Sequence, residues 1–216
     1  MRAIAKGQEP PRLIAHRQTP YCDYDNYAAK AELREAIVSE QRGLCCYCMA
    51  RIESNADKMK IEHWRCQADN PEEQLNYRNL LGACLGSQGQ PAHLQHCDTR
   101  KGDQDLRWNP ADPAHHIERH IRYELDGSIH SEDPEFDTQL DQVLNLNLAV
   151  HKNNRKAIFD AFVKWWRGEK DRIHGPVPRH RLGRERERHA AGTGHLAPYC
   201  QVIVWLLDQR LAREGE

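Results

Sequence analysis

Cys45-Cys46-Tyr47-Cys48 places Cys45 and Cys48 in a Cys-x-x-Cys knuckle, and Cys84 and Cys97 supply a second pair of thiols downstream. Four thiolates are the donor set of a tetrahedral structural zinc site, and the knuckle spacing is the one such sites use. Twelve residues separate Cys84 from Cys97, wider than usual, so His93 and His96 stand as alternative donors for one of that pair. Cys22, Cys66 and Cys200 are isolated and read as small core residues, while Cys46 belongs to either class. Between the two thiol pairs lie Glu62-His63 and Asn79, and Asp98 and Lys101 follow directly. An imidazole there can take a proton from water near neutral pH. The carboxylates can hold a hard cation such as Mg²⁺ or Mn²⁺, which takes oxygen ligands and keeps several waters.

The wording Cys-Cys-Tyr-Cys, Ile-Glu-His-Trp, Asn-Leu-Leu-x-x-Cys and His-Cys-Asp-x-x-Lys-Gly resembles the HNH, or ββα-metal, nucleases. It is similar in particular to the HNH proteins of Septu and retron anti-phage defence systems, the PtuB group. The likeness is specific over Leu44 to Gly102, and Leu-Asn-Leu-Asn and Tyr-Cys-x-Val-Ile-Val near the end of the chain also fit that group. The resemblance implies a ββα-metal HNH core with a structural zinc site, and metal-dependent hydrolysis of a phosphodiester in nucleic acid. DNA is the favoured substrate and RNA, including tRNA, the alternative. Under it His63 is the base and Glu62 and Asp98 ligate Mg²⁺ or Mn²⁺. Asn79 braces the loop through backbone hydrogen bonds, and Lys101, one helical turn after Asp98, reaches the phosphate or is solvated. It also implies a PtuA-like ATPase of the ABC or SMC type as partner in a hetero-oligomeric complex. On a regular strand the neighbours Glu62 and His63 face opposite sides, so one site can use both only where the strand twists or ends; otherwise Glu62 braces the loop and the metal rests on Asp98 and a second residue that the sequence does not identify.

The elements that must position these groups read as α+β with helix dominant. Residues 1–26 carry Pro10, Pro11 and Pro20 with no helical or strand period, which predicts an extended arm able to dock on a partner through Ile4, Leu13 and Ile14. Apolar positions at helical spacing from Ala28 to Val38, with Gly43 as the stop, predict a helix over 27–43. Residues 44–113 are Cys-, His- and Gly-rich with a strand-like run from Met59 to Trp64, a composition held by metal more than by apolar burial. Residues 114–216 read as a hairpin and a helical region. In it Asp126-Gly127 predicts a type I′ turn, two helices break near Asn145 to Asn147, Arg179 to His189 forms a solvated helix face or a loop, and Tyr199 to Leu211 a closing helix. His115-His116 falls in a polar loop.

With 31 Lys plus Arg against 32 Asp plus Glu, the chain has no strong long-range attraction for a polyanion. It lacks any run of apolar residues long enough for a membrane helix and any secretory leader, which makes a cytoplasmic protein the expectation. The competing reading is a catalytically inert zinc module that binds nucleic acid or a partner protein, in which nothing depends on His63.

Overall fold

The computed structural model describes residues 1–213, so the last three residues of the expected C-terminal region lie outside it. In chain order α1 is Pro11–Arg17, α2 Lys30–Glu40, β1 Lys60–His63, β2 Leu80–Ala83 and α3 Cys97–Lys101. There follow β3 Arg122–Tyr123, β4 Ile129–His130, α4 Pro134–Thr138, α5 Ala149–Ile173, α6 Arg179–Ala191 and α7 Cys200–Arg213. The architecture is α+β and mainly helical, with two small antiparallel sheets, β1–β2 and β3–β4.

The helix α2 buries Leu33 and Ile37, one turn apart, on its inner face. Its end is set one residue earlier than Gly43 suggests. Arg42 takes the left-handed conformation at φ 57°, Gly43 N–H donates to Val38 O at 2.9 Å and Arg42 N–H to Ser39 O at 3.1 Å, which is a Schellman cap. The buried Gln41 at that end then braces the sheet. Its amide donates to Gly82 O at 2.8 Å and accepts from Gly82 N–H at 2.6 Å, so the knuckle that follows begins from a fixed point on β2. The β1–β2 register pairs Glu62 with Leu81 and His63 with Leu80. β2 was not legible as a strand, because Leu-Leu-Gly-Ala is too short to show a period and is buried on both faces.

Residues 1–26 correct the expected extended arm. Pro11 opens α1 at the first helical position, where its missing N–H costs nothing. Met1, Ile4 and Leu13 are buried in the chain's own core, and Lys6 pairs with Glu40 and donates to Leu80 O at 2.8 Å. Prolines that read as interruptions here start a helix, and the partners that bury the arm are far away in sequence. Leu13→Ala is therefore expected to destabilise the protein by about 2–5 kcal/mol, as core truncations do. Urea denaturation checks this; an unchanged midpoint would return the arm to solvent.

The hairpin forms where Asp126-Gly127 places it, but not with a type I′ turn. Glu124 N–H donates to Ser128 O at 3.0 Å, Gly127 N–H donates to Glu124 O at 2.9 Å, and only Gly127 has positive φ, at 85°. That is a three-residue loop with a glycine bulge. A Cβ on Gly127 would come within 2.0 Å of Lys152 O, because α5 lies directly against the turn. The buried Arg155 of α5 seals this contact, donating to Gly127 O at 2.5 Å and Leu146 O at 2.7 Å.

The helix α4 is capped by Asp133 and runs into one π turn over Gln139–Val143. Asn145, at φ 52°, ends it before α5 begins, the break the asparagines predict. Leu144 O, at the end of the π turn, accepts the Cys97 N–H at 2.9 Å, so the C-terminal half holds the first residue of α3. Arg179 to His189 lies on α6, and much of its charge is matched within the fold: Arg186 pairs with Asp208, Arg181 with Glu169, Arg188 with Glu185. No helix among the described residues is long and apolar enough to cross a membrane.

Candidate functional site

Three separate segments bring the four thiols together. Cys45 and Cys48 sit on the turn after α2, Cys84 directly follows β2, and Cys97 opens α3. Their sulfurs lie within 4.8 Å of one another, with Cys45 to Cys97 at 3.9 Å and Cys48 to Cys84 at 3.7 Å. Tetrahedral thiolates at the usual zinc–sulfur distance stand about 3.8 Å apart, so the cluster can hold a metal such as zinc with little movement. Backbone N–H groups already point at the sulfurs, Ala50 to Cys48 at 3.4 Å and Cys84 to Cys45 at 3.3 Å, as thiolates require. Burial works to raise the Cys45 thiol, yet S–H donors from Cys46, Cys48, Cys84 and Cys97 hold it well below its ordinary value. Cys46 stands outside the four: its N–H pairs with Gly82 O at 2.9 Å, and burial pushes its thiol well up.

Of the alternative donors, His96 is at the cluster, with Nδ1 3.3 Å from Cys97 Sγ and 3.9 Å from Cys84 Sγ. His93 is exposed, and its carbonyl accepts from Asn145 at 3.1 Å. Cys22, Cys66 and Cys200 lie outside the metal group.

β1 ends at His63, and the two neighbours do diverge. Glu62 turns inward, 2% exposed, where its Oε1 accepts from Tyr47 Oη at 2.6 Å and pairs with Lys101 Nζ at 3.1 Å. His63 Nε2–H donates to Gln74 O at 3.0 Å, and the edge of the ring meets Tyr24 with centroids 4.5 Å apart. That contact fixes the tautomer: Nδ1 carries the free lone pair. Burial lowers the His63 pKa from its ordinary value, with the Gln74 carbonyl and Asp98 opposing.

Asp98, the second residue of α3, lies against Glu62 and near enough to His63 to act on its charge. It remains partly exposed, pairs with Lys60 Nζ at 3.1 Å, and is close enough to Glu62 to share a proton. Burial, then Asp98, pushes the Glu62 carboxyl well above its ordinary value. Desolvation works to raise Asp98 also, but the hydrogen bond from Glu62 and the Lys60 ammonium bring it below. Two carboxyl groups in contact form a hard oxygen donor set, and a divalent ion in place of the shared proton would relieve their repulsion. Glu62 and Asp98 thus offer the kind of oxygen donors that Mg²⁺ or Mn²⁺ takes.

Lys101 departs from both expectations for it. It is neither solvated nor placed at a phosphate; it is 1% exposed, and its ammonium contacts Glu62 and, at 3.3 Å, His63 O. Asn79 Oδ1 accepts from Arg65 N–H at 2.7 Å, and its Nδ2 donates to Arg65 O and Glu73 O at 3.0 and 3.2 Å, tying down the loop after β1. His115 closes a short 3-10 turn, Pro113–His115, instead of lying in the expected loop, and its ring packs against Trp108. Sequence reasoning missed Tyr24, Tyr47 and Lys60. Tyr47 sits inside the Cys-Cys-Tyr-Cys wording and Lys60 two residues before Glu62, on the same face of β1; these signals were available. Tyr24 gave none.

No family model matches the chain. It is 27% identical over 94 residues to the Septu protein PtuB of Bacillus thuringiensis, an alignment that covers 41% of this chain and 33% of the relative. The matched stretch is thus about a third of that relative's length, and it supports a Septu-like relationship.

Proposed function

We propose, from the Septu-like relationship and the geometry of the site, that the chain is a metal-dependent HNH endonuclease acting in anti-phage defence. The observation that carries this reading is a buried, tautomer-fixed His63 at the end of β1, with the Asp98 carboxylate near enough to act on its charge and Asp98 in turn set against Glu62. His63 Nδ1 takes the proton of the attacking water, and the Gln74 carbonyl on Nε2–H stabilises the imidazolium that forms. Tyr24 holds the ring plane. Glu62 and Asp98 would hold Mg²⁺ or Mn²⁺, which would supply the positive charge that the phosphate and the leaving oxygen need. Lys101 and Tyr47 fix Glu62 from the interior, and Lys60 positions Asp98 from the open side. The tetrathiolate has four protein donors and no open position, so its part is structural.

Nucleic acid is the substrate in this proposal, DNA before RNA. Nicking of supercoiled plasmid with Mg²⁺ or Mn²⁺, run beside an RNA substrate, tests it; cleavage of neither leaves the inert zinc module. Because the folded His63 titrates below the ordinary histidine value of about 6.5, the rate should be flat through neutral pH and fall only below that value. A pH–rate profile checks this, and an acidic limb centred above 6.5 would exclude His63 as the base.

The same relationship extends the proposal to a partner, a PtuA-like ATPase of the ABC or SMC type that would gate the nuclease. Residues 1–20 are built into the fold, so docking falls to another surface.

A further inference from the structure

Beside the tetrathiolate stand two metal donors, His96 and His151, that neither the zinc site nor the proposed hydrolysis uses. His151, in the first turn of α5, is 3% exposed, and neither of its ring nitrogens has a hydrogen-bond partner. Buried polar groups in native folds are almost always satisfied, and an imidazole has two atoms to satisfy. The ring meets His96 edge-on, centroids 4.3 Å apart at 89°. His96 is also buried, immediately before α3. One donor atom from each of Cys48, His96 and His151 lies within 4.8 Å of the other two. Bringing atoms so spaced onto one ion, at about 2.0–2.3 Å, takes shifts under about 1 Å.

We propose that Cys48, His96 and His151 form a second metal position that shares the Cys48 thiolate with the tetrathiolate site, so that the chain holds two zinc ions with one bridging sulfur. A thiolate has lone pairs enough for two ions, and one sulfur with two imidazoles is a donor set zinc accepts. The second ion gives one of the two unpartnered nitrogens of His151 a reason to be buried. It would also fasten α5 directly to the knuckle and to the start of α3, joining residues over a hundred positions apart in the chain. The inference rests on the tetrathiolate reading, and the stoichiometry separates the two.

The test is native mass spectrometry of the full chain after saturation with zinc and removal of loose ion by gel filtration. Wild type is expected to retain two zinc ions and His151→Phe, which fills the ring's space without a donor, one. One ion in wild type overturns the second position and leaves the tetrathiolate standing; none overturns both. Two ions in folded His151→Phe place the second elsewhere and also overturn the proposal. Cobalt(II) titration of wild type gives an answer independent of that variant: a second equivalent should add the bands of a mixed sulfur–nitrogen site. Saturation after one equivalent overturns it.

Discussion

Stripping the metal from Cys45, Cys48, Cys84 and Cys97 is expected to unfold the protein from its middle outward. The four sulfurs join the end of α2, the end of β2 and the start of α3, and no regular element longer than five residues lies between the knuckle and Pro110 to hold the segment otherwise. Structural zinc contributes about 10–16 kcal/mol of apparent binding free energy in small metal-folded peptides, as large as the whole stability of a typical domain, about 5–15 kcal/mol. Without it, four buried thiols remain with no ion to tie their three segments together. Chelation, or Cys97→Ser, should abolish the cooperative thermal transition, followed by near-UV circular dichroism with metal content measured in parallel. A metal-free protein that melts like the untreated one would remove the structural role of the cluster.

The second large effect is catalytic. His63→Ala should lower cleavage by about 10²–10⁴-fold, the range a positioned base contributes, while the fold survives with some loss of stability because the ring packs on Tyr24. Asp98→Ala should lower cleavage as far and weaken Mg²⁺ or Mn²⁺ binding. It should cost little stability, since the carboxylate is partly exposed and its Lys60 partner can turn to solvent. Plasmid nicking, calorimetric metal titration and thermal melts of the three proteins read out all of this. Wild-type rates in either variant would dismantle the assigned site.

What the sequence made legible follows the range of the interactions. The Cys-x-x-Cys knuckle, α2, the Asp126-Gly127 hairpin and the break at the asparagines are written in neighbours a few residues apart, and each lies where the spacing put it. The turn type was misread because Asp126 keeps negative φ while Gly127 alone supplies the bulge. The failures are tertiary. Nothing in Met1 to Pro20 announces that Ile4 and Leu13 meet residues from several distant segments, and nothing in Lys101 announces an ion pair with a glutamate 39 positions earlier. A lysine is ordinarily solvated, and only burial of an unmatched carboxylate reverses that preference. His151 gave no signal for the same reason: its partners are set by the packing of α5.

The bond from Cys97 N–H to Leu144 O bears on how the candidate site can be handled by an engineer. The residues proposed to carry the chemistry span a short stretch of sequence, 44–113, which invites transplanting them as a portable cassette. Yet the backbone donor at the head of α3 finds its acceptor in the π turn, β2 is braced from α2, and the floor beneath both includes side chains from the first residue to α7. The centre is therefore woven rather than inserted. A graft limited to 44–113 would carry the ligands but not the walls, and recombination between relatives should succeed only at crossovers that keep the Cys97–Leu144 pair on one parental segment.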